Sequence, residues 1–324
     1  MRLALGALGL VALVSIGCGG GGHGGGGGIA SVTTLAIPSG MTEPRGVAAR
    51  QNTDAIFFTA FTTQGVGTAP VVVTMTKEGG SALTLATGGI SGTTGVLVEP
   101  VAMVLSKDES TLFVADAAAV IAAGDTTAGA IFSLPIAGGT PTVLSHGTVD
   151  TPTGMALSSD GLTLFVSGRD AKDGQATIFA VATAGGATTE LVKGAPLTAV
   201  TGVAASVDGT KVFVADQNRL NTADAQLYVM SPSGGSLTAL APNGISVSTS
   251  SGEGVIERGD GNVVVSSRNG DLAQLTNVAE SNGAVSTRFQ GAPLLQPFGL
   301  SKDGGTLYVA DGAIGGTGAI VKTN

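Results

Sequence analysis

Acidic side chains recur at two kinds of position along the chain, and they are the first candidates for chemistry. Three glutamates come just before short apolar segments, and three aspartates end longer apolar runs. These six candidate metal ligands are Glu43, Glu99, Glu253, Asp116, Asp216 and Asp311. Carboxylates that converge on an axis are hard oxygen ligands and suit Ca²⁺ or Mg²⁺. An aspartate at a strand end also caps turn amides, and for all six residues the pattern favours a structural role.

Residues for nucleophilic catalysis are scarce. The chain has one cysteine, Cys18, and two histidines, His23 and His146. A Ser-His-Asp set would depend on His146, which we expect in a surface loop. The same counts exclude a zinc site built from several histidines and cysteines. The sequence therefore favours a binding and scaffolding module over an enzyme.

Arginines near expected strand ends offer a second kind of polar group. Together with the acids they can form a polar channel for a small anion or a peptide. The four residues are Arg45, Arg169, Arg219 and Arg268. We therefore expect a protein or small-molecule ligand at the channel face of the domain.

The composition indicates a folded chain rich in strands. Charged residues make up only 12% of the sequence, which is too few for a disordered chain. The 53 glycines and the many valines, threonines and alanines favour strands and turns over helices. The formal net charge is -8 and lysines and arginines do not cluster, so nucleic acid is not an expected partner.

The N-terminus has the layout of a targeting segment. Arg2 is followed by an uncharged apolar stretch, Leu3 to Ile16, which is too short to span a membrane and matches a secretory signal. The sequence Ser15-Ile16-Gly17-Cys18 resembles the lipobox of bacterial lipoproteins. The resemblance implies that Cys18 is diacylated and anchors the protein in a lipid bilayer. The alternative is an ordinary secretory signal with an incidental cysteine. An aspartate directly after the cysteine would favour the inner membrane. Gly19 stands at that position, so we expect the outer membrane.

Three regions follow from these features. Residues 1–17 form the signal peptide, and residues 18–28 form the lipidated Cys18 with a glycine-rich tether. The tether contains nine glycines and His23, and such a segment behaves as a flexible coil. Residues 29–324 form the folded domain.

An internal repeat fills the folded domain and carries the prediction of its fold. Each copy is about 50 residues long, which is the length of one four-stranded propeller blade. The six copies begin near Pro44, Pro100, Pro152, Val200, Gly252 and Pro297.

Each copy contains the elements of four strands. A short apolar strand leads to a Ser-x-Asp-Gly turn, in which Asp-Gly supplies the positive φ of a tight hairpin. A continuous apolar run follows, such as Leu164-Phe165-Val166, which indicates a strand covered on both faces. The last copy lacks its fourth strand. Residues Ile29 to Ile37 can supply this strand and close the ring, which removes open sheet edges.

The repeated pattern resembles a known group of propellers. Pro-x-Gly-Val-Ala-x-Ser-x-Asp-Gly, followed by an apolar run that ends in Ala-Asp, is similar to the six-bladed NHL and regucalcin/gluconolactonase-like propellers. The resemblance covers residues 44–324 and implies an all-β fold, a six-bladed β-propeller of four-stranded antiparallel blades. Seven-bladed YVTN-type propellers share parts of the pattern, but six copies favour the first group. An open β-solenoid is a further alternative, although its repeats are usually shorter.

The resemblance also implies an alternative function. Members of the lactonase branch hold a divalent metal at the channel with Glu, Asn and Asp side chains. A metal-dependent lactonase or hydrolase is therefore the alternative to a binding module. The family's asparagine ligands have no counterpart here, because Thr153 and Thr201 stand near the corresponding turns.

Overall fold

Every regular element in the part of the chain that the structure describes is a β-strand. The computed structural model describes residues 31–64, 67–89, 93–217, 226–240, 245, 254–269, 272–312 and 318–324. The first strands are β1 Val32–Ala36, β2 Met41–Thr42, β3 Val47–Ala49, β4 Ile56–Gln64, β5 Gly67–Met75, β6 Ala82–Thr87, β7 Pro100–Leu105, β8 Thr111–Asp116, β9 Ala130–Pro135, β10 Thr142–His146, β11 Val149–Leu157, β12 Thr163–Asp170, β13 Ala176–Ala182 and β14 Thr188–Lys193. The others are β15 Val200–Ala205, β16 Val212–Asp216, β17 Gln226–Met230, β18 Thr238–Ala239, β19 Val255–Glu257, β20 Asn262–Asn269, β21 Leu272–Ala279, β22 Val285–Gln290, β23 Pro297–Asp303, β24 Thr306–Asp311 and β25 Ala319–Thr323.

The strands form six antiparallel sheets, which are the blades of a propeller. Blade 1 contains β2 to β6, and blades 2 to 5 contain β7–β10, β11–β14, β15–β18 and β19–β22. Blade 6 contains β23, β24, β25 and β1. The inner strands, which are β3, β7, β11, β15, β19 and β23, each contact the inner strands of both neighbouring blades. They therefore surround a central channel, and the predicted all-β six-bladed propeller is confirmed.

An N-terminal strand closes the last blade, as the sequence predicts. β1 pairs antiparallel with β25, from Val32 opposite Thr323 to Ala36 opposite Ala319. β25 pairs in turn with β24. Leu35 and Ile37 are buried between blades 6 and 1, in a cluster that includes Tyr308. All the described strands lie between residues 31 and 324.

The hydrophobic core is divided among the six seams between neighbouring blades. Leu112 and Val114 of β8 pack against blade 1, whereas Phe113 and Ala115 pack against blade 3. Successive side chains of a strand point to opposite faces, so a blade that is covered on both sides needs apolar residues at every position. This explains why the second strand of each copy is a continuous apolar run.

The blades alternate between two types, which the sequence analysis did not predict. Second strands of the odd-numbered blades carry a hydroxyl residue in their middle, and second strands of the even-numbered blades end in Ala-Asp. The hydroxyl residues are Thr59, Ser167 and Ser266, and the aspartates are Asp116, Asp216 and Asp311. The structural unit is therefore a pair of blades, repeated three times around the ring.

Hydroxyl groups join the two blades of each pair beside the channel. In each pair, a hydroxyl of the odd blade donates a hydrogen bond to a backbone carbonyl at the start of the next inner strand. These bonds are Thr59 Oγ1 to Pro100 O at 3.2 Å, Thr153 Oγ1 to Val200 O at 3.0 Å and Ser266 Oγ to Phe298 O at 2.6 Å.

The predicted signal peptide, Cys18 and the tether lie outside the described residues, and they remain predictions. Within the described ranges, no helix is long and apolar enough to cross a membrane.

Candidate binding site at the channel mouth

The middle of the central channel is apolar. Each blade contributes one side chain to a ring that touches the cavities on both sides of it. We call this set the waist ring, and it consists of Val47, Met103, Met155, Val203, Val255 and Leu300. A ligand at this level therefore meets hydrocarbon and thioether groups.

A cavity lies on each side of the waist ring. The mouth cavity, of about 230 Å³, is at the end where the inner strands begin. Its wall includes Arg45, Thr151, Thr153 and Phe298. The hairpin cavity, of about 460 Å³, is at the opposite end, where residues of the Ser-x-Asp-Gly turns line it. Each face of the propeller therefore has a recess that leads to the apolar middle of the channel.

Arg45 is the charged side chain of the mouth cavity among the described residues. Its Nη1 donates a hydrogen bond to Glu99 at 2.6 Å, and its Nη2 lies 3.3 Å from a carboxylate oxygen of Glu43. The guanidinium carbon lies 5.4 Å from the ring centre of Phe61 and 5.8 Å from that of Phe298, within the range of cation–π attraction. Its Nε is buried and has no hydrogen-bond partner among the described residues.

The start of the first inner strand fixes the position of Arg45. The Arg45 amide donates to the carbonyl of Thr59 at 3.2 Å, and the Gly46 amide donates to the Thr59 hydroxyl at 2.9 Å. The Arg45 carbonyl accepts a hydrogen bond from Gly299 of the neighbouring blade at 2.9 Å. A Cβ at Gly299 would lie 2.5 Å from that carbonyl oxygen, so only glycine permits this approach.

Two residues near the mouth have unusual backbone conformations. Thr151, which lines the mouth cavity, has a φ of 43°, and Glu43, which contacts Arg45, has a φ of 51°. A positive φ is costly for a β-branched residue such as threonine. The Thr151 amide donates to the carbonyl of Ala128 at 2.8 Å, which helps to hold this conformation. Strain of this kind concentrates at functional sites. A third such residue, Glu109, has a φ of 56° and lies in a hairpin turn, so backbone strain occurs at both ends of the channel.

The three candidate aspartates are buried and bind backbone amides. Each accepts two N–H groups from the segment that leads into the inner strand of its own blade. The donors are Val98 and Glu99 for Asp116, Thr198 and Ala199 for Asp216, and Leu295 and Gln296 for Asp311, all at 2.7–3.0 Å. Burial raises the pKa of Asp116, and its backbone hydrogen bonds oppose that rise. The contacts are those of the capping role that the sequence favours.

Two of the three candidate glutamates meet at Arg45. Glu43 and Glu99 are about half exposed and form ion pairs with Arg45, and Glu253 lies outside the described residues. Among the described residues, no group of three or more His, Cys, Asp or Glu side chains could hold a metal ion. The structure thus places Glu43 and Glu99 together at Arg45 and places the aspartates apart, one in each even blade.

The other polar candidates that the structure describes, His146, Arg169 and Arg268, lie in blades 2, 3 and 5. Nε2 of His146 is 3.3 Å from Asp125, and the His146 side chain is partly exposed. Arg169 donates to the carbonyl of Gly174 at 2.7 Å, within its own blade. Arg268 lies in β20 of blade 5, and Arg219 is outside the described residues.

The sequence analysis missed Phe61, Phe298, Thr151 and the waist ring. Phe298 is the middle residue of the Pro-x-Gly pattern in the last copy. Its place in the repeat was therefore visible in the sequence. Phe61 comes two residues after Thr59, at the end of an apolar run that continues past the usual length. The strain at Thr151 has no local sequence signal, because it depends on the neighbouring loop.

Comparison with known proteins supports the fold. No protein-family model matches the chain, and no curated protein matches it in sequence. A protein described as a putative TolB from Agrobacterium tumefaciens is 16% identical with a TM-score of 0.58, and the match covers 92% of this chain and 99% of that one.

Two further solved structures have similar scores. TolB from Acinetobacter baumannii is 11% identical over 77% of this chain and 56% of its own, with a TM-score of 0.56. A chain from a nidogen–laminin complex is 13% identical over 80% of this chain and 84% of its own, with a TM-score of 0.58. At these identities the likeness shows the propeller fold alone.

Proposed function

We propose that the chain is an exported, lipid-anchored binding and scaffolding module that holds a protein partner at the mouth of its channel. The Cys18 lipobox and the tether support the anchor, and Gly19 favours the outer membrane of a bacterial envelope. The repeat motif supports kinship with the NHL and regucalcin-like propellers. The observation that carries the binding role is Arg45, which borders an apolar cavity and keeps a buried Nε donor that has no partner among the described residues.

The size of the mouth cavity favours a protein partner. Its volume of about 230 Å³ is below the roughly 300–1,000 Å³ of sites that enclose a drug-sized ligand. One side chain of a partner can enter such a cavity. Protein interfaces concentrate their binding free energy in a few anchors of this kind. The waist ring would surround the apolar part of the anchor.

The buried Nε donor of Arg45 indicates which chemical group the partner presents at the mouth cavity. A buried donor without an acceptor costs about 1–3 kcal/mol. A carbonyl or carboxylate oxygen of the partner, placed beside Arg45 Nε, would remove that cost. We therefore expect the partner to present an apolar side chain next to a hydrogen-bond acceptor.

The lactonase alternative gains no support from the described acids. Asp116, Asp216 and Asp311 use their carboxylates on backbone amides, and Glu43 and Glu99 use theirs on Arg45. A metal would have to compete with each of these contacts.

The direct test of the binding role uses residues 29–324 on a solid support, exposed to an envelope extract. We expect a partner that is captured by the wild type and by Lys322→Gln, whose ion pair with Glu78 joins β25 to the loop between β5 and β6. Arg45→Ala should reduce capture at least about tenfold, because anchor contacts contribute more than 1.4 kcal/mol. A partner that Arg45→Ala captures as well as the wild type, or the absence of any captured protein, would overturn the proposal.

A further inference from the structure

The mouth end of blades 1 to 3 carries an excess of negative charge. Every charged residue of these three blades is among the described residues. At this end eight carboxylates stand against four cations, which leaves a net charge of -4 when His146 is neutral. The carboxylates are those of Glu43, Glu99, Asp116, Asp125, Asp150, Asp170, Asp173 and Glu190. The cations are Arg45, Arg169, Lys172 and Lys193. We call these twelve residues the acidic sector.

The cations of the acidic sector with ion pairs are outnumbered by the carboxylates that they contact. The guanidinium of Arg45 is shared by two carboxylates, those of Glu43 and Glu99. Nζ of Lys193 lies within 3.2 Å of three carboxylates, those of Asp170, Asp173 and Glu190. A further anion at either cation would therefore add to an existing excess of negative charge.

Three of the carboxylates stand next to the mouth cavity itself. The side chains of Glu43 and Glu99 are 53% and 43% exposed, and both contact Arg45, which lines the cavity. Asp150 directly precedes Thr151, another lining residue. Charges of one sign around a recess raise the local concentration of oppositely charged groups. The entrance of the mouth cavity therefore attracts cationic groups from solution.

The group that accepts a hydrogen bond from Arg45 Nε should be uncharged. Both a carbonyl and a carboxylate oxygen can accept this hydrogen bond. A carboxylate at that place would be the third one around a single guanidinium, and like charges at such short range repel. A backbone carbonyl supplies the hydrogen bond without this repulsion.

We infer that the partner at the mouth is a basic protein segment. An apolar side chain enters the mouth cavity, a neighbouring backbone carbonyl accepts from Arg45 Nε, and flanking lysines or arginines face the acidic sector. The inference rests on the function proposed for the mouth and specifies the charge of the partner. Complementary charge raises the association rate, and like charge excludes acidic segments and free C-terminal carboxylates.

Four fluorescent pentapeptides with blocked ends test this charge preference on residues 29–324. Three have a central leucine and four flanking residues that are all lysine, all glutamine or all glutamate. The fourth keeps the lysines around a central glycine. Fluorescence anisotropy should show at least about tenfold tighter binding of the lysine peptide than of the glutamate peptide, with the glutamine peptide between them. The glycine control should bind about tenfold more weakly than the lysine peptide, because it lacks the apolar anchor.

Variants assign the preference to the acidic sector. Glu43→Gln combined with Glu99→Gln should bring the affinities of the lysine and glutamate peptides to within about threefold of each other. Glu78→Gln combined with Asp108→Asn is the matched control, because it removes two carboxylates from loops at the opposite end of the channel. This control should keep the preference of the wild type. A melting curve confirms that each variant is folded, and the wild-type affinities decide the question if one is not.

The outcomes separate this inference from the proposed function. Equal wild-type affinities for the lysine and glutamate peptides, both reduced by Arg45→Ala, would overturn the basic partner and keep the mouth as the binding face. A lysine preference that depends neither on Arg45 nor on the central leucine would place the binding outside the mouth and would also overturn the inference. The absence of binding by the lysine peptide would contradict it as well.

Discussion

At the scale of single residues, the buried carboxylates show how the ring holds its connecting segments. Asp116 is completely shielded from solvent, and it accepts amide hydrogens from Val98, Glu99 and Ala118. Charge-assisted hydrogen bonds to backbone amides are stronger than neutral ones. The segment that leads into β7 is therefore fixed by the end of β8, and Glu99 is thereby placed beside Arg45.

Removing this carboxylate should destabilise the protein. Asp116→Ala leaves two amides of the entering segment without an acceptor, and we expect a loss of about 3 kcal/mol in the free energy of unfolding. Asp116→Asn keeps one acceptor oxygen and should lose less. Asp108→Ala, at an exposed hairpin turn, serves as the control and should also lose less. Urea unfolding measures all three, and equal losses for Asp116→Ala and Asp108→Ala would show that the buried contacts do not matter.

Some residue roles follow from the sequence and others do not. The capping role of the aspartates follows from their place at strand ends, and Arg45 is one of the four arginines that the sequence places near strand ends. Phe61 belongs to blade 1, like Arg45, whereas Phe298 belongs to blade 6, so the contact between Arg45 and Phe298 depends on the closed ring. A local pattern cannot report a contact between residues separated by more than two hundred positions.

At the scale of strands, the glycine of the Pro-x-Gly pattern permits neighbouring inner strands to touch. A Cβ at Gly46 would lie 3.1 Å from backbone atoms of Ala102 and Met103, and one at Gly254 would lie 2.3 Å from the carbonyl of Phe298. The sequence alone placed these glycines in the short first strand of each copy. Their second role appears only when two blades are placed side by side.

The alternation of blade types was also present in the sequence. Gly-Ala-Pro-Leu precedes the fourth copy at residues 194–197 and the sixth copy at residues 291–294. Ala-Asp ends the second strand only in the even copies. The difference does not extend to the seams, because both blade types need the same apolar residues there.

Strand β1 should control the stability of the whole ring. Deleting residues 29–40 removes five paired positions of blade 6 and the buried side chains of Leu35 and Ile37. We expect a loss of about 5 kcal/mol or more, since losing one large buried side chain costs about 2–5 kcal/mol. Deleting residues 19–28 is the control and should leave the melting temperature unchanged. A cooperative melt at the wild-type temperature after the first deletion would contradict closure by β1.

At the scale of the whole molecule, the ring has two chemically different faces joined by an apolar channel. Arg45, its carboxylates and two aromatic rings border the mouth, and two lysines border the hairpin cavity. The sequence predicted the ring, its six blades and its closure. It did not predict the waist ring, because six separate strands must converge before their Val, Met and Leu side chains share one space.

The predicted anchor connects this ring to a membrane. Replacing Cys18 with serine removes the thiol that lipid would modify, and two or more acyl chains are needed for stable anchoring. We expect Cys18→Ser to move the protein from the membrane fraction to the soluble fraction of cells, while the melting temperature of the folded domain stays the same. Unchanged fractionation would refute lipidation at Cys18.

The central claim is that the mouth is the face that binds a partner, and photo-crosslinking in living cells tests it most directly. A benzoylphenylalanine is placed at Ala117, which lines the mouth cavity, or at Ser159, which lines the hairpin cavity. We expect a covalent adduct with one protein partner from position 117 and none from position 159. An adduct from position 159 alone, or no adduct from position 117, would contradict the account.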